Sequence, residues 1–157
     1  MIGHPATTLV ACVGNLLMGD DGAGVHAARE LEVRAAGRFD VADAGTSLSD
    51  VLLTRPLYGR LIVVDAIRKG GAPGSIYEAR IADPEWLARE SPPVSLHDLG
   101  VGEALWQARL AGRLPREVWL VGIEPQCVEW GIGLSPPVQA ALPRLIERAC
   151  ALALAAF

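Results

Sequence analysis

Leu61-Ile62-Val63-Val64 is apolar at four successive positions and stops on Asp65. A run of that kind buries both faces of an extended chain, which is the condition of an interior strand in a parallel sheet. Leu9 to Val13 and Val118 to Ile123 repeat the pattern. Between these runs lie segments of helical period. Val25, Ala28 and Leu31 share one face of a helix that starts near Gly22 and is ended by Gly37. Ser47 or Ser49 opens a short helix through Leu53, which Pro56 stops. Asp98 caps a helix reaching Leu110, and Ser135 opens the last one. Phe39 to Ala42 reads as a further short strand, and Ser75 to Ile81 alternates as an exposed one. Strands and helices alternate with no Pro/Gly/Ser-rich linker and no internal repeat, so residues 1–157 are expected to form one α/β domain. Its architecture is a three-layer sandwich, a mostly parallel twisted sheet of about five strands with helices on both faces. Pro143 falls inside the last helical pattern and either kinks that helix or marks its start.

With 51% hydrophobic and 20% charged residues, the chain carries enough apolar surface for a sizeable core, which excludes disordered and fibrous classes. The net charge is −4 and no Lys/Arg cluster exceeds a pair, so neither a nucleic-acid groove nor an anionic membrane surface is indicated. Small molecules or proteins are the expected partners. Cys12, Cys127 and Cys150 are scattered through apolar sequence, which predicts three reduced thiols in the core rather than disulfides or a thiolate metal site. Without a signal-like N-terminus or a membrane-length apolar stretch, the expected compartment is the cytoplasm.

The chemistry concentrates after the first strand. Gly14 breaks Leu9 to Val13, and the loop after it carries adjacent carboxylates, Asp20 and Asp21, just before a helix. Capping the helix accounts for one acid but not for two. Open α/β sheets bind ligands at the carboxyl edge of their strands, so the second acid points to a cation or a polar substrate. A dinucleotide is disfavoured: Gly14, Gly19, Gly22 and Gly24 do not fall into the G-x-G-x-x-G spacing, and two aspartates would repel a phosphate. Asp65, ending its strand, projects from the same edge, although alone it would read as a turn aspartate. His97 precedes a helix. Asp21, Asp65 and His97 together offer two oxygens and an imidazole nitrogen, a set suited to a first-row divalent ion with open positions. His26 and His4 are weaker candidates. Asp43 follows a strand and either lines the cleft or makes an Asx-turn; Glu124 leaves the same alternatives. Trp86 and Trp106 are expected at helix surfaces and Trp119 in the core, with no stacking period among the tryptophans.

Gly14-Asn-Leu-Leu-Met-Gly-Asp-Asp-Gly22, Val64-Asp65-Ala66, Ser95-Leu-His-Asp-Leu-Gly100 and Gly122-Ile-Glu-Pro125 stand in this order nearly end to end. Together they resemble the nickel–iron hydrogenase maturation proteases. The resemblance implies a cytoplasmic endopeptidase that removes the C-terminal extension of a hydrogenase large-subunit precursor once nickel has been inserted. It implies nickel-contacting roles for Asp21, Asp65 and His97, with aspartate at 21 one methylene shorter than the glutamate frequent in relatives. Asp43-Ala44-Gly45-Thr46 resembles the family's Asp-Gly-Gly-Thr loop, which implies substrate binding by Asp43, Gly45 and Thr46. Alanine at 44 counts against any role there that needs a positive φ. No nucleophile elbow and no Cys-His pairing is present, which disfavours nucleophilic acyl transfer by the protein; the resemblance implies nickel supplied by the substrate and no organic cofactor. The catalytic group stays open, with Asp43 and Asp20 both conceivable as general base. The competing expectation is a non-catalytic, metal-sensing checkpoint module that docks on a metalloprotein precursor.

Overall fold

The computed structural model describes residues 7–81 and 99–157. In chain order they form β1 (Thr8–Val13), a 3-10 turn (Gly19–Gly22), α1 (Ala23–Ala35), β2 (Asp40–Gly45), α2 (Leu48–Thr54), β3 (Arg60–Ala66), β4 (Ile76–Ile81), α3 (Leu99–Leu110), β5 (Glu117–Ile123) and α4 (Pro136–Leu154). The sheet has the order β2-β1-β3-β5-β4. β1 pairs in parallel with β2 and β3, and β3 in parallel with β5; β4 closes the edge antiparallel to β5. The three apolar runs are therefore the three interior strands, and the alternating Ser75 to Ile81 segment is the edge.

Because successive strand residues point to opposite faces, each interior strand feeds two cores. Leu9, Ala11, Leu61 and Val63 pack under α2 and α3 against Leu48, Leu52, Val101 and Leu105. Val10, Cys12, Ile62 and Val64 pack under α1 and α4 against Ala27, Leu31, Leu145 and Ala149. The chain leaves β1 across one face through α1 and reaches β3 across the other through α2. This reversal puts a topological switch point between β1 and β3, and such a point opens a crevice beyond the carboxyl ends of the two strands.

Boundaries differ from the expectation where long-range pairing extends a strand beyond its apolar run: β2 continues through Asp43 to Gly45 because β1 pairs with it that far. α1 ends at Ala35, one turn residue earlier than Gly37, with Ala36 left-handed at φ 46°. α4 begins at Pro136 behind Ser135 and runs through Pro143, which lies on its exposed side, so Pro143 does not mark the start. Trp119 is half-buried against the α1/α4 core rather than enclosed by it. Asp98 and Trp86 lie outside the described residues. Among the described residues no helix is long and apolar enough to cross a membrane.

At the amino edge of the sheet, buried Arg60 pairs with Glu117 at 2.7 Å. It also donates to the carbonyls of Leu152, Ala155 and Ala156 and lies over the Phe157 ring, satisfying carbonyls that the end of α4 leaves without intrahelical partners.

At the carboxyl edge, α1 presses directly on the sheet through Gly24, where a Cβ would overlap the carbonyl oxygens of Val13 and Val64. Replacing a helical glycine by alanine ordinarily gains about 1 kcal/mol of helix propensity. Forcing rigid backbone apart costs roughly 1–3 kcal/mol or more, and two carbonyls put this site at the upper end. Gly24→Ala is therefore expected to lose about 2 kcal/mol net in urea unfolding; a variant as stable as the parent would show that the helix is not seated on the strand ends.

Candidate active site at the switch point

Asp21 and Asp65 are carried to the carboxyl edge by different elements. Asp21 lies in the 3-10 turn, which packs against β3, and Asp65 is the penultimate residue of β3, opposite Gly122 of β5. The turn is drawn in tightly because Gly14 has no side chain: a Cβ there would strike the Asp21 carbonyl oxygen. The Asn15 N–H donates to Asp21 Oδ2 at 3.2 Å, and the Ala66 N–H donates to Asp65 Oδ1 at 2.8 Å. Each carboxylate is thus held by backbone. Asp65 is only 6% exposed, and Asp21 is half-buried.

Asp20 points the other way. Neither aspartate caps α1. Asp20 is 1% exposed and accepts from Gln126 N–H (2.9 Å), Cys127 N–H (3.0 Å), Ser135 N–H (2.7 Å) and Ser135 Oγ (2.7 Å). Burial alone would raise its pKa, but the Ser135 hydroxyl and these N–H donors outweigh it and hold the carboxyl below the ordinary aspartate value. A carboxylate so fully engaged does not serve as a general base, which removes Asp20 from the candidates. The loops it joins are further fastened by Gly19 N–H to Gly131 O, Gly131 N–H to Leu17 O and Asp20 N–H to Cys127 O.

On the other side of Asn15, an open groove of about 350 Å³ is lined by Gly14, Asn15, Leu16, Val25, Asp43, Gly45 and Thr46. Asp43 is exposed there and makes the Asx-turn, accepting from the Gly45 N–H at 3.0 Å. Both alternatives for Asp43 thus hold together. Ala44 is an ordinary buried strand residue, and the left-handed conformation falls on Gly45, at φ 50°. The substitution at 44 therefore leaves the loop geometry intact.

His97 and His4 lie outside the described residues, and His26 is exposed on α1. Among the described residues no three His, Cys, Asp or Glu side chains converge in a metal-holding group. Glu124 is the residue whose reach its sequence position conceals. Buried at the end of β5, it accepts from the Lys69 and Gly71 N–H groups and the Tyr77 hydroxyl, and so shapes the loop beyond Asp65.

The cysteines correct one expectation. Cys12 is buried, and burial first, then nearby Asp43, pushes its thiol up to about 12. Cys150 is half-buried against the α1/α4 core, but Cys127 is exposed. The backbone of the 126–127 turn is pulled inward to meet Asp20, which leaves the Cys127 side chain outside.

A doubly wound α/β sheet with two backbone-held carboxylates at its carboxyl edge and an open groove beyond the ends of β1 and β2 has the layout of a ligand-handling α/β enzyme. A family model described as hydrogenase maturation protease matches residues 25–152. The Escherichia coli K12 hydrogenase 2 maturation protease is 34% identical over 146 residues, covering 91% of this chain and 88% of its own length. The corresponding hydrogenase 3 maturation protease is 32% identical over 90% of the chain and 88% of its own. The solved E. coli HybD endopeptidase superposes with a TM-score of 0.75 at 31% identity, covering 93% of this chain and 91% of that one. HybD from Thermococcus kodakarensis superposes at 0.76 with 28% identity, covering 94% and 99%. The chain belongs to the hydrogenase maturation protease family and is an endopeptidase of that family.

Three outcomes test the site as described. Asp20→Ala strands three part-buried N–H groups and is expected to cost about 3 kcal/mol. Because the folded-state pKa of Asp20 is lowered, its stabilisation is fully present above the ordinary aspartate value and is lost as pH falls from there through the lower folded-state value. The stability gap between parent and Asp20→Asn should therefore narrow on acidification, as read by urea unfolding at stepped pH. In the native protein at neutral pH, a maleimide should label Cys127 but not Cys12. Mass-mapped labelling of Cys12 without denaturant would contradict its placement.

Proposed function

We propose that this endopeptidase removes the C-terminal extension of a nickel–iron hydrogenase large-subunit precursor, in the cytoplasm, after nickel has been inserted. Asp21, Asp65 and His97 complete the coordination of nickel that the substrate brings. The observation that carries the reading is the pair of backbone-held carboxylates, from the loop after β1 and from the end of β3, at the switch-point crevice. In this reading the enzyme keeps no resident metal and no organic cofactor. A mixed oxygen and imidazole set holds a first-row divalent ion only modestly, and the remaining ligands come from the precursor. Cleavage is thereby tied to successful metal loading.

Within this arrangement the chain's own groups bind and orient. The Asn15 and Ala66 N–H groups fix the two carboxylates in rotation, the role played by hydrogen-bond partners behind metal ligands generally. Nickel anchored between them sets the position of the polypeptide that carries it, and the groove lined by Asp43, Gly45 and Thr46 receives the adjoining segment. Asp43, exposed in that groove, is the candidate for proton abstraction from water, since Asp20 is fully engaged elsewhere. Membership in a peptidase family favours cleavage over a docking-only checkpoint.

Purified protein mixed with nickel-loaded precursor should release the C-terminal segment, followed by mass, whereas nickel-free precursor should stay intact. Asp21→Ala, Asp65→Asn and His97→Ala should each lower processing by about 100-fold or more while the circular dichroism spectrum is kept. Efficient trimming of the nickel-free precursor would refute metal-gated recognition; full activity of the His97 variant would remove that ligand from the site.

A further inference from the structure

Trp130 is 80% exposed and Ile132 84%, with Leu16 at 42% and Leu17 at 51%. Single exposed apolar side chains are commonplace, and Val33, Leu53 and Leu110 are such cases, one on each of α1, α2 and α3. These four differ because they belong to two loops joined backbone to backbone. Met18 and Gly131 form a parallel bridge, the Gly131 N–H donates to Leu17 O, and the Gly19 N–H donates to Gly131 O. Leu17, Trp130 and Ile132 are therefore the immediate chain neighbours of the bridged pair and form one apolar surface. Underneath, the buried Asp20 carboxylate locks the same two loops together. The surface is thus presented rigidly, which spares a binding partner the entropy of ordering it.

Leu16 also lines the groove with Asp43, Gly45 and Thr46. The apolar surface is accordingly continuous with the cleft in which a peptidase must hold a polypeptide. We propose that Leu16, Leu17, Trp130 and Ile132 form a docking surface for an apolar segment of the protein substrate, adjoining the scissile bond. The inference rests on the functional reading above and specifies how the substrate body is gripped outside the metal ligands. An exposed tryptophan on such a surface supplies large contact area with little side-chain entropy to lose, the character of a binding hot spot.

The test uses unprocessed nickel–iron hydrogenase large subunit as probe, with Kd from biolayer interferometry and KM and kcat from mass-followed processing. Trp130 and Ile132 are so exposed that their replacement leaves the core untouched. Trp130→Ala/Ile132→Ser is expected to weaken Kd and raise KM by about tenfold or more, with kcat within about twofold of the parent. Unchanged Kd and KM with cleavage intact would overturn the docking surface while leaving the functional reading in place. Failure of the parent protein to bind or process any precursor would overturn both. A parent dimer that the double variant dissociates, seen by sedimentation equilibrium, would assign the surface to a second copy of this chain and overturn the proposal.

Discussion

The functional edge of this protein depends on one buried carboxylate that takes no part in the proposed chemistry. Asp20 gathers three backbone N–H groups and one hydroxyl from the segment between β5 and α4 and binds them to the turn between β1 and α1. A charge so enclosed is tolerated only because every partner is a donor, and those donors hold it ionised. The effect of that anchoring is geometric. The turn is pinned on one side by Asp20 and on the other by the contact of Gly14 with Asp21, which holds it against β3, the strand that carries Asp65. Adjacent acids thus differ in setting, Asp20 buried and fully engaged, Asp21 half-buried and held by the Asn15 N–H.

That difference is hidden in the sequence for a physical reason. The two aspartates are neighbours of the same chemical type, and the partners that separate their roles lie 106 to 115 residues further along the chain. Glu124 is obscured likewise, since the backbone groups it holds are 53 to 55 residues away. Cys127 reads as core because an unpaired cysteine is ordinarily a small buried hydrophobe, yet the inward pull of its own backbone turns the side chain out. The fold is legible because hydrophobic period is local. Apolar runs of four or five residues identify β1, β3 and β5, the alternating run identifies the edge strand, and the placement of Asp65 at the carboxyl edge comes from topology alone. The start of α4 is legible at Ser135 but contested by Pro143, and the Pro136-Pro137 opening prevails because proline fits the first helical turn.

Family membership and the local geometry bear on different parts of the molecule. The family match begins at residue 25, after β1 and the turn that carries Asp20 and Asp21, and spans β2 to β5 with the helices around them. The turn itself is explained by its hydrogen bonds in this chain. The groove shows the same complementarity: the alanine at 44, which departs from a diglycine pattern, sits in regular strand, and the glycine that the turn requires is retained at 45.

Arg60 gives the opposite end of the sheet a different character. Its pairing with Glu117 and its hold on three carbonyls near the end of α4 fasten the beginnings of β3 and β5 to the chain's last turn, as far from the crevice as the strands allow. This anchor thus lies at the opposite pole of the sheet from the proposed site. A protein organised this way has evolutionary latitude: one pole can be rewritten for a new client while the other keeps the strands in register. Relatives named for different hydrogenases share about a third of their residues with this chain, the divergence such an arrangement permits.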